Sequence, residues 1–415
     1  MRLLTAAHWG TYEVEAPGAA DVPARLRPLT EDPDPSLIGR DMARAYRDGP
    51  RILRPAVRRG WLDQGPGGAT ARRGLDPFVE VGWDEAEQLV AAELQRVRRE
   101  RGPRAIFAGS YGWASAGRFH HAQSQLRRFL NGLGGHVRQV DSYSLGAGRV
   151  VMPHVVAPMD EVMMSHGDWG TLAAHTRLFV SFGGVPLKNS QLSAGGSGVH
   201  HVREGLRRMA AAGCRFVNFS PVRSDLVVDG ADVEWIPLRP GSDTAVMLAL
   251  AWEIVRAGRH DAAFLTTHCA GWERWQAHLR GDDDGVPKTA EWAAAIARLR
   301  ALALDMARTV DGRHTLVNVA WALQRADHGE MPFWGAVGLA AVIGHIGLPG
   351  GGGGAAYGSV NLMGSDAPAL PGPSLPMGEN AVGDHIPCAR LADMLLHPGE
   401  PFVYDGRTLR YPEVD

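Results

Sequence analysis

The chain has 415 residues, of which 45% are hydrophobic and 21% charged, and a formal net charge of −2. That length accommodates two or three domains around a large buried core, and the near-neutral balance gives no support to a nucleic-acid or anionic-membrane partner. Cys214, Cys269 and Cys388 are far apart with no CxxC spacing, which argues against a cysteine zinc site, a cysteine-ligated iron–sulfur cluster or a disulfide framework.

Met1-Arg2-Leu3-Leu4-Thr5 opens no apolar run of signal-peptide length, and no window offers the roughly 18 apolar residues of a membrane span. A cytoplasmic location is the expectation. Residues 1–78 are rich in Pro, Gly and Arg and weakly periodic, so an irregular N-terminal region is expected. From Asp84-Glu85 to about Arg99 runs an amphipathic helix with acids in its first turn, as the helix dipole prefers. Arg104–Gly109 reads as a short strand. Phe119, Ala122, Leu126, Phe129 and Leu130 then recur at helical spacing until Gly132, Gly134 and Gly135 end the helix. Val137–Val140 reads as a second strand, which completes a βαβ unit.

Further strands are predicted at Leu178–Phe182, Arg215–Phe219, Glu234–Leu238 and Thr315–Val319, with helices at Val199–Ala212 and Asp243–Ala257. The alternation argues for an α/β fold of doubly wound, mainly parallel sheets with helices on both faces. The expected division is residues 79–158 together with 366–415 as one α/β domain, incomplete by the resemblance described below, and residues 159–365 as a dinucleotide-binding α/β domain. Asp282-Asp283-Asp284-Gly285 reads as a solvated turn, since the spaced oxygen ligands of a calcium loop do not follow.

Two loops carry the chemistry. Ser110-Tyr111-Gly112-Trp113-Ala114-Ser115 follows the first strand, and Asp141-Ser142-Tyr143-Ser144 follows the second. In a parallel sheet such loops meet at the carboxyl edge, where ligands bind. Ala108-Gly109-Ser110-Tyr111-Gly112 resembles a relaxed nucleophile elbow, but no glycine-rich oxyanion segment precedes it and no Asp-then-His pair stands out. His120-His121 and His200-His201 are adjacent pairs that diverge by about 100° on a helix and suit packing better than metal binding. Gly350–Gly354 follows an apolar helix-like run, so a hinge or close packing is favoured over a phosphate cradle.

The loops after the later strands form a series: Gly183–Asn189, Ser220–Ser224, Arg239–Asp243 and Trp321–Arg325. They are small, polar or cationic, and backbone N–H groups opening the following helices suit a diphosphate. Asp243 can accept from a guanine-type N–H pair, and Arg325 can pair with phosphate.

At these residues the chain resembles the molybdenum oxidoreductases of the dimethyl-sulfoxide reductase family, within it the branch of biotin sulfoxide, trimethylamine N-oxide and dimethyl sulfoxide reductases. The resemblance runs from Thr5-Ala6-Ala7-His8-Trp9-Gly10 to the end. It passes through Ser110–Trp113, Val151–His154, Pro186–Asn189, Pro240–Asp243, Trp321–Arg325 and Gly347–Gly352. It implies two molybdopterin guanine dinucleotides chelating molybdenum, no iron–sulfur cluster, and Ser144 as the protein ligand to the metal, a hard oxygen suited to oxo transfer. It further implies that Tyr111 polarises a substrate S–O or N–O bond and that Trp113 walls the pocket. Gly112, Ala114 and Ser115 would lie beside the cofactor. Lys188, Asn189, Ser220, Pro221, Gly241, Ser242 and Asp243 would hold a guanosine diphosphate arm. Trp321, Ala322 and Arg325 would face the pterin or the substrate funnel.

The implied reaction takes an S-oxide or N-oxide, two electrons and two protons to the sulfide or amine and water, with electrons from an unidentified donor. The departures are Asp141-Ser142 where the family pattern has Gly-Asp, Leu145 for a small polar residue, and Val185-Pro186 for Asn-Pro. Relatives also continue for several hundred residues through a C-terminal barrel, absent here. The alternative is therefore a catalytically inactive remnant, or a split-enzyme subunit that binds part of the cofactor and takes its C-terminal half from another chain.

Overall fold

The computed structural model describes residues 3–15, 24–68, 74–110, 112–113, 119–293, 298–367 and 373–413. The chain opens with an antiparallel sheet of β1 (Leu4–Ala7), β2 (Gly10–Glu15) and β3 (Arg25–Pro28). A helix over Ile38–Asp48 and a ribbon of β4 (Ala56–Arg58) and β5 (Phe78–Glu80) follow. Tyr12 anchors this region: it is 1% exposed, and its hydroxyl donates to the carbonyls of Trp9 and Ser36. The region is more regular than its weak periodicity predicts, because strands of three to six residues are too short to show a period.

The helix Trp83–Arg101 carries acids in its first turn and arginines in its last. Then come β6 (Phe107–Ala108), a helix over Ala122–Gly132 and β7 (Val137–Val140). The next block supplies β8 (Thr176–Phe182), β9 (Arg215–Phe219), β10 (Val233–Ile236), β11 (His314–Val319) and β12 (Gly352–Ala355). The chain ends through β13 (His385–Pro387) and the hairpin of β14 (Pro401–Tyr404) and β15 (Arg407–Arg410).

Strands β8 to β12 form one fully parallel sheet in the order β10-β9-β8-β11-β12. The strand order reverses between β8 and β11, which makes their carboxyl ends the topological switch point. Side chains alternate between two cores. Val180, Phe182, Val217, Phe219, Val317 and Val319 pack under the helices Asp243–Arg256 and Met331–Ile343. Phe179, Phe216 and Leu316 pack on the other face with Trp169, Leu206 and Tyr357. Burial on both faces explains why these strands read as continuous apolar runs.

The glycine run is a strand: Gly352 pairs with Leu316 and Gly354 with Asn318. A Cβ on Gly354 would lie 2.8 Å from the Tyr357 ring, which bears out the close-packing reading. The smaller sheet, β13-β7-β6, is also parallel. It rests on Val137, Ile386, Met394, Phe402 and Tyr411. None of the described strands closes into a barrel, and no helix among the described residues is long and apolar enough to cross a membrane.

Candidate cofactor and active site

Two glycines build the switch point. Gly183 and Gly184 follow β8 with φ of 84° and 76°. A Cβ on Gly183 would lie 2.4 Å from Leu323 Cδ1 and 2.9 Å from Ala320 Cβ, and one on Gly184 would lie 2.4 Å from the Asp225 carbonyl oxygen. Only glycine meets both the left-handed backbone and the contact. The β8 loop therefore lies directly against the turn after β11. The turn itself, Trp321–Gln324, is a single 3-10 element.

Ser144 follows β7 and sits half-buried between an exposed Tyr143 and a Leu145 that is 3% exposed. Leu145 acts as the loop's anchor in the main core, which gives a physical reason for an apolar residue there. The loop begins at Asp141 with φ 59°, a left-handed position that Asp tolerates and Gly occupies without strain. The Asp141 carboxylate accepts from the Tyr404 hydroxyl at 2.6 Å.

A glutamine joins this loop to the switch-point turn. Gln324 is 7% exposed; its Oε1 accepts from the Gly148 N–H at 3.1 Å and its Nε2 donates to the Tyr143 carbonyl at 3.4 Å. Arg325 Nε donates to the same carbonyl at 3.4 Å. Gly148 in turn packs on Phe333 of the helix Met331–Ile343. Nothing in the sequence marked Gln324 out within the Trp321–Arg325 motif, since both its partners are backbone groups about 180 residues away.

Trp113 is half-buried, packs against the core that also takes part of Trp321, and has its ring centroid 5.7 Å from that of His8. Gly112 is exposed, and its carbonyl meets His121 Nε2 at 3.0 Å. Tyr111, Ala114 and Ser115 lie outside the described residues. Ser110 has no histidine or acid partner among the described residues, and His121 is taken by Ser124 Oγ at 2.6 Å, so no nucleophile relay forms.

The remaining loops line the same edge. Lys188 and Asn189 are exposed on the short helix Leu187–Ser190. Pro221, Gly241, Ala322 and Arg325 are exposed, and Ser242 and Trp321 half-buried. Ser220 departs from its expected role. It is fully buried, its hydroxyl donates to Asp225 Oδ2 at 2.7 Å and accepts from the Val222 N–H at 3.1 Å, so it builds its own turn and has no proton to offer a diphosphate.

Three features suit a polar ligand. The Asp243 carboxylate opens the helix Asp243–Arg256 with no side-chain partner among the described residues, and burial pushes its pKa up to about 6. Trp321 Nε1 is buried without a partner among the described residues. Gly241, with φ 84°, leaves open space where a Cβ would stand. Buried polar groups of this kind are destabilising until a ligand satisfies them.

Other candidate centres resolve differently. His200 is buried in an internal pair with Asp32. Among the described residues His278, Asp283 and Asp284 come close enough to share an ion, but they are largely exposed and Asp284 pairs with Lys288 at 2.6 Å.

Comparison with known proteins gives the chain's family. The family profile described as molybdopterin oxidoreductase matches residues 51–404. The chain is 43% identical over 394 residues to biotin sulfoxide reductase of Cereibacter sphaeroides, covering 94% of this chain and 52% of that protein. It is 37% identical to the dimethyl sulfoxide/trimethylamine N-oxide reductase of the same organism, covering 99% and 51%. It is 34% identical to the trimethylamine-N-oxide reductase of Haemophilus influenzae, again covering 99% and 51%. The chain thus spans about half the length of the curated relatives it matches. Among solved structures, acetylene hydratase from Pelobacter acetylenicus shares the fold, with a TM-score of 0.51 at 19% identity over 83% of this chain and 44% of that one. The profile spans well over half of the chain, and the chain belongs to the molybdopterin oxidoreductase family.

Proposed function

We propose that this chain carries the metal-ligand half of a molybdenum-dependent reductase of S-oxides or N-oxides, with Ser144 as the protein's ligand to molybdenum. The observation that supports it best is the docking of the Ser144 loop onto the switch-point turn through Gln324 and Arg325, two units of the fold meeting at one carboxyl edge. The names of the relatives support that substrate class.

When bound, the molybdopterin guanine dinucleotide cofactor supplies the two-electron, oxo-accepting centre. Asp243 would accept the guanine N–H pair of one arm, beside the helix N-terminus where Ser242 and Gly241 leave room for the diphosphate. Asn189 and Lys188 would flank that arm, and Arg325 and Trp321 would face the pterin. Ser144 would offer a hard oxygen to the metal. Tyr111 would donate a hydrogen bond to the substrate oxygen and so weaken its bond to sulfur or nitrogen, while Trp113 would exclude water from one wall. Cys214, Cys269 and Cys388 are free cysteines, and electrons would come from an external donor.

A second reading is catalysis only in company with another polypeptide. Leu395, Leu396 and Val403, 66–73% exposed beside the smaller sheet, favour it, since such side chains normally find cover.

The test is elemental and pterin analysis of the purified chain, with GMP released from the cofactor as a count of arms, and reduced-dye oxidation by biotin sulfoxide and trimethylamine N-oxide. Molybdenum with turnover supports the first reading; one arm without turnover supports the second. A protein expressed in a cofactor-competent host that carries neither metal nor pterin sinks both, as does a Ser144→Ala variant that keeps the wild-type metal spectrum and rate for the assignment of Ser144.

A further inference from the structure

A histidine outside the proposed site holds the loop after β6. His121 stands just before the helix Ala122–Gly132, yet its side chain does not cap that helix. Its Nδ1 meets Ser124 Oγ at 2.6 Å, and its Nε2 reaches back nine positions to the Gly112 carbonyl at 3.0 Å. A carbonyl only accepts, so Nε2 carries a proton. The buried Ser124 hydroxyl both donates and accepts, so it gives its proton to Nδ1 and favours the neutral tautomer with Nε2–H. From the next turn Gln125 Nε2 donates to the Phe119 carbonyl at 3.2 Å. The start of one helix therefore grips this loop at Gly112 and again at Phe119.

Gly112 needs such a grip. It is exposed, a Cβ there would meet nothing within 4 Å, and a glycine backbone samples both signs of φ, so packing does not fix its orientation. Its carbonyl lies in the planar peptide unit that leads into Trp113, and holding that oxygen therefore fixes the direction in which the Trp113 backbone sets out. The Trp113 ring is held at its other end. It lies against the His8 ring, with centroids 5.7 Å apart and planes tilted by 31°, and against the core of Trp169 and Tyr357. A ring seated at one end on a freely turning backbone would pivot about that seat; the His121 hydrogen bond removes the pivot.

We propose that His121 is a positioning residue: its Nε2–H fixes the Gly112–Trp113 peptide unit and through it the angle of the Trp113 ring, with Ser124 selecting the tautomer that makes this bond. The consequence for the substrate, that His121 sets one wall of its pocket, rests on the role of Trp113 proposed above. The coupling of His121 to Trp113 does not rest on it.

Fluorine NMR of the full chain labelled with 5-fluorotryptophan tests this, the Trp113 line being identified by its loss in Trp113→Phe. His121→Leu removes the donor at similar volume and should shift or broaden that line beyond its wild-type width while the other tryptophan lines stay in place. His121→Gln, which carries an N–H donor where Nε2 stood, should return the line to its wild-type position. Ser124→Ala, which frees the ring to take either tautomer, should move the line in the same direction by a smaller amount, and it replaces His121→Leu should that variant fail to fold. A Trp113 line at its wild-type position in the variant so used overturns the proposal. So does a line displaced equally in His121→Leu and His121→Gln, which would make the ring's packing, and not its hydrogen bond, the cause. Molybdenum content of the same samples, from a cofactor-competent host, separates the two levels: a metal-free wild type removes the pocket role of Trp113 and leaves its coupling to His121 to be decided by the fluorine line.

Discussion

The Tyr404 hydroxyl donates to the Asp141 carboxylate at 2.6 Å and joins the C-terminal hairpin to the first residue of the Ser144 loop. Asp141 is also left-handed, φ 59°, at the position where the family pattern has glycine. The hydrogen bond thus offsets a backbone conformation that costs an Asp side chain something to adopt. Burial, and then the neighbouring carboxylate, raise the Tyr404 pKa, so the phenol stays a donor across the neutral range. Tyr404→Phe is expected to cost about 1–2 kcal/mol. In the Tyr404→Phe background, Asp141→Gly should restore part of the loss, because glycine needs no tether there. Urea denaturation of the single and double variants measures this; a double variant less stable than Tyr404→Phe alone contradicts it.

Gln324 should matter to the geometry of the Ser144 loop more than to the fold as a whole. Gln324→Leu keeps the volume and leaves the Gly148 N–H and the Tyr143 carbonyl without that partner, a loss of about 1–3 kcal/mol. Because Arg325 still reaches the Tyr143 carbonyl, the loop should loosen rather than unfold. Amide exchange of residues 142–149 should quicken while exchange in β8 and β11 stays at the wild-type rate. Uniform acceleration throughout the chain would show that Gln324 only supports global stability.

Asp243 gives a pH signature. Its folded pKa, about 6, lies above the unfolded value near 4. Between those values the folded state binds more protons, so stability falls as pH rises through that window, by at most about 3 kcal/mol. Asp243→Asn should remove this slope and make the ligand-free chain more stable at pH 7, while weakening retention of GMP-bearing cofactor. Thermal melts of both proteins between pH 4 and 7 decide it; an unchanged slope in Asp243→Asn would assign the pH dependence elsewhere.

Local patterning accounts for the strands that were legible. β7 and β9 fall on Val137–Val140 and Arg215–Phe219, the predicted residues, because both are short apolar or β-branched runs bounded by glycine or polar turns. β12 was not legible as a strand, since Gly352-Gly353-Gly354-Ala355 has no β propensity and owes its conformation to pairing with β11. Loop chemistry was legible in kind but not in use. Ser220 has the right residue type for a phosphate loop, yet Asp225, five positions on, takes its proton. Gln324 and the Asp32–His200 pair depend on residues more than 160 positions apart, and no local period carries that information.

That last pair sets the final expectation. His200 Nδ1 meets Asp32 Oδ2 at 2.7 Å and Nε2 meets the Gln191 carbonyl at 3.0 Å. Both partners are acceptors, so both ring nitrogens carry protons and the ring is an imidazolium. Burial opposes that charge, but the hydrogen bond and charge of Asp32 outweigh it and raise the His200 pKa. For Asp32, burial acts upward, and the His200 ring and backbone N–H overcome it to lower the pKa. The sign follows: the His200 contribution is present below the unfolded histidine pKa and is lost as pH rises through the raised folded value. The Asp32 contribution is present above the unfolded carboxylate pKa and is lost as pH falls through the lowered one. The pair also pins the N-terminal sheet to the loop behind Lys188 and Asn189, where the Ser193 and Ser197 N–H groups donate to the carbonyls of His8 and Ala7. His200→Ala leaves Asp32 charged and buried, a cost of about 3–5 kcal/mol, whereas the double change Asp32→Asn with His200→Gln should recover much of it. Limited proteolysis across pH 5–9 gives the direct measurement, with tryptic cleavage after Arg25 of β3 rising at the alkaline end in the wild type and at every pH in His200→Ala. Equal protection of wild type and His200→Ala would mean that the sheet is held by its backbone hydrogen bonds alone.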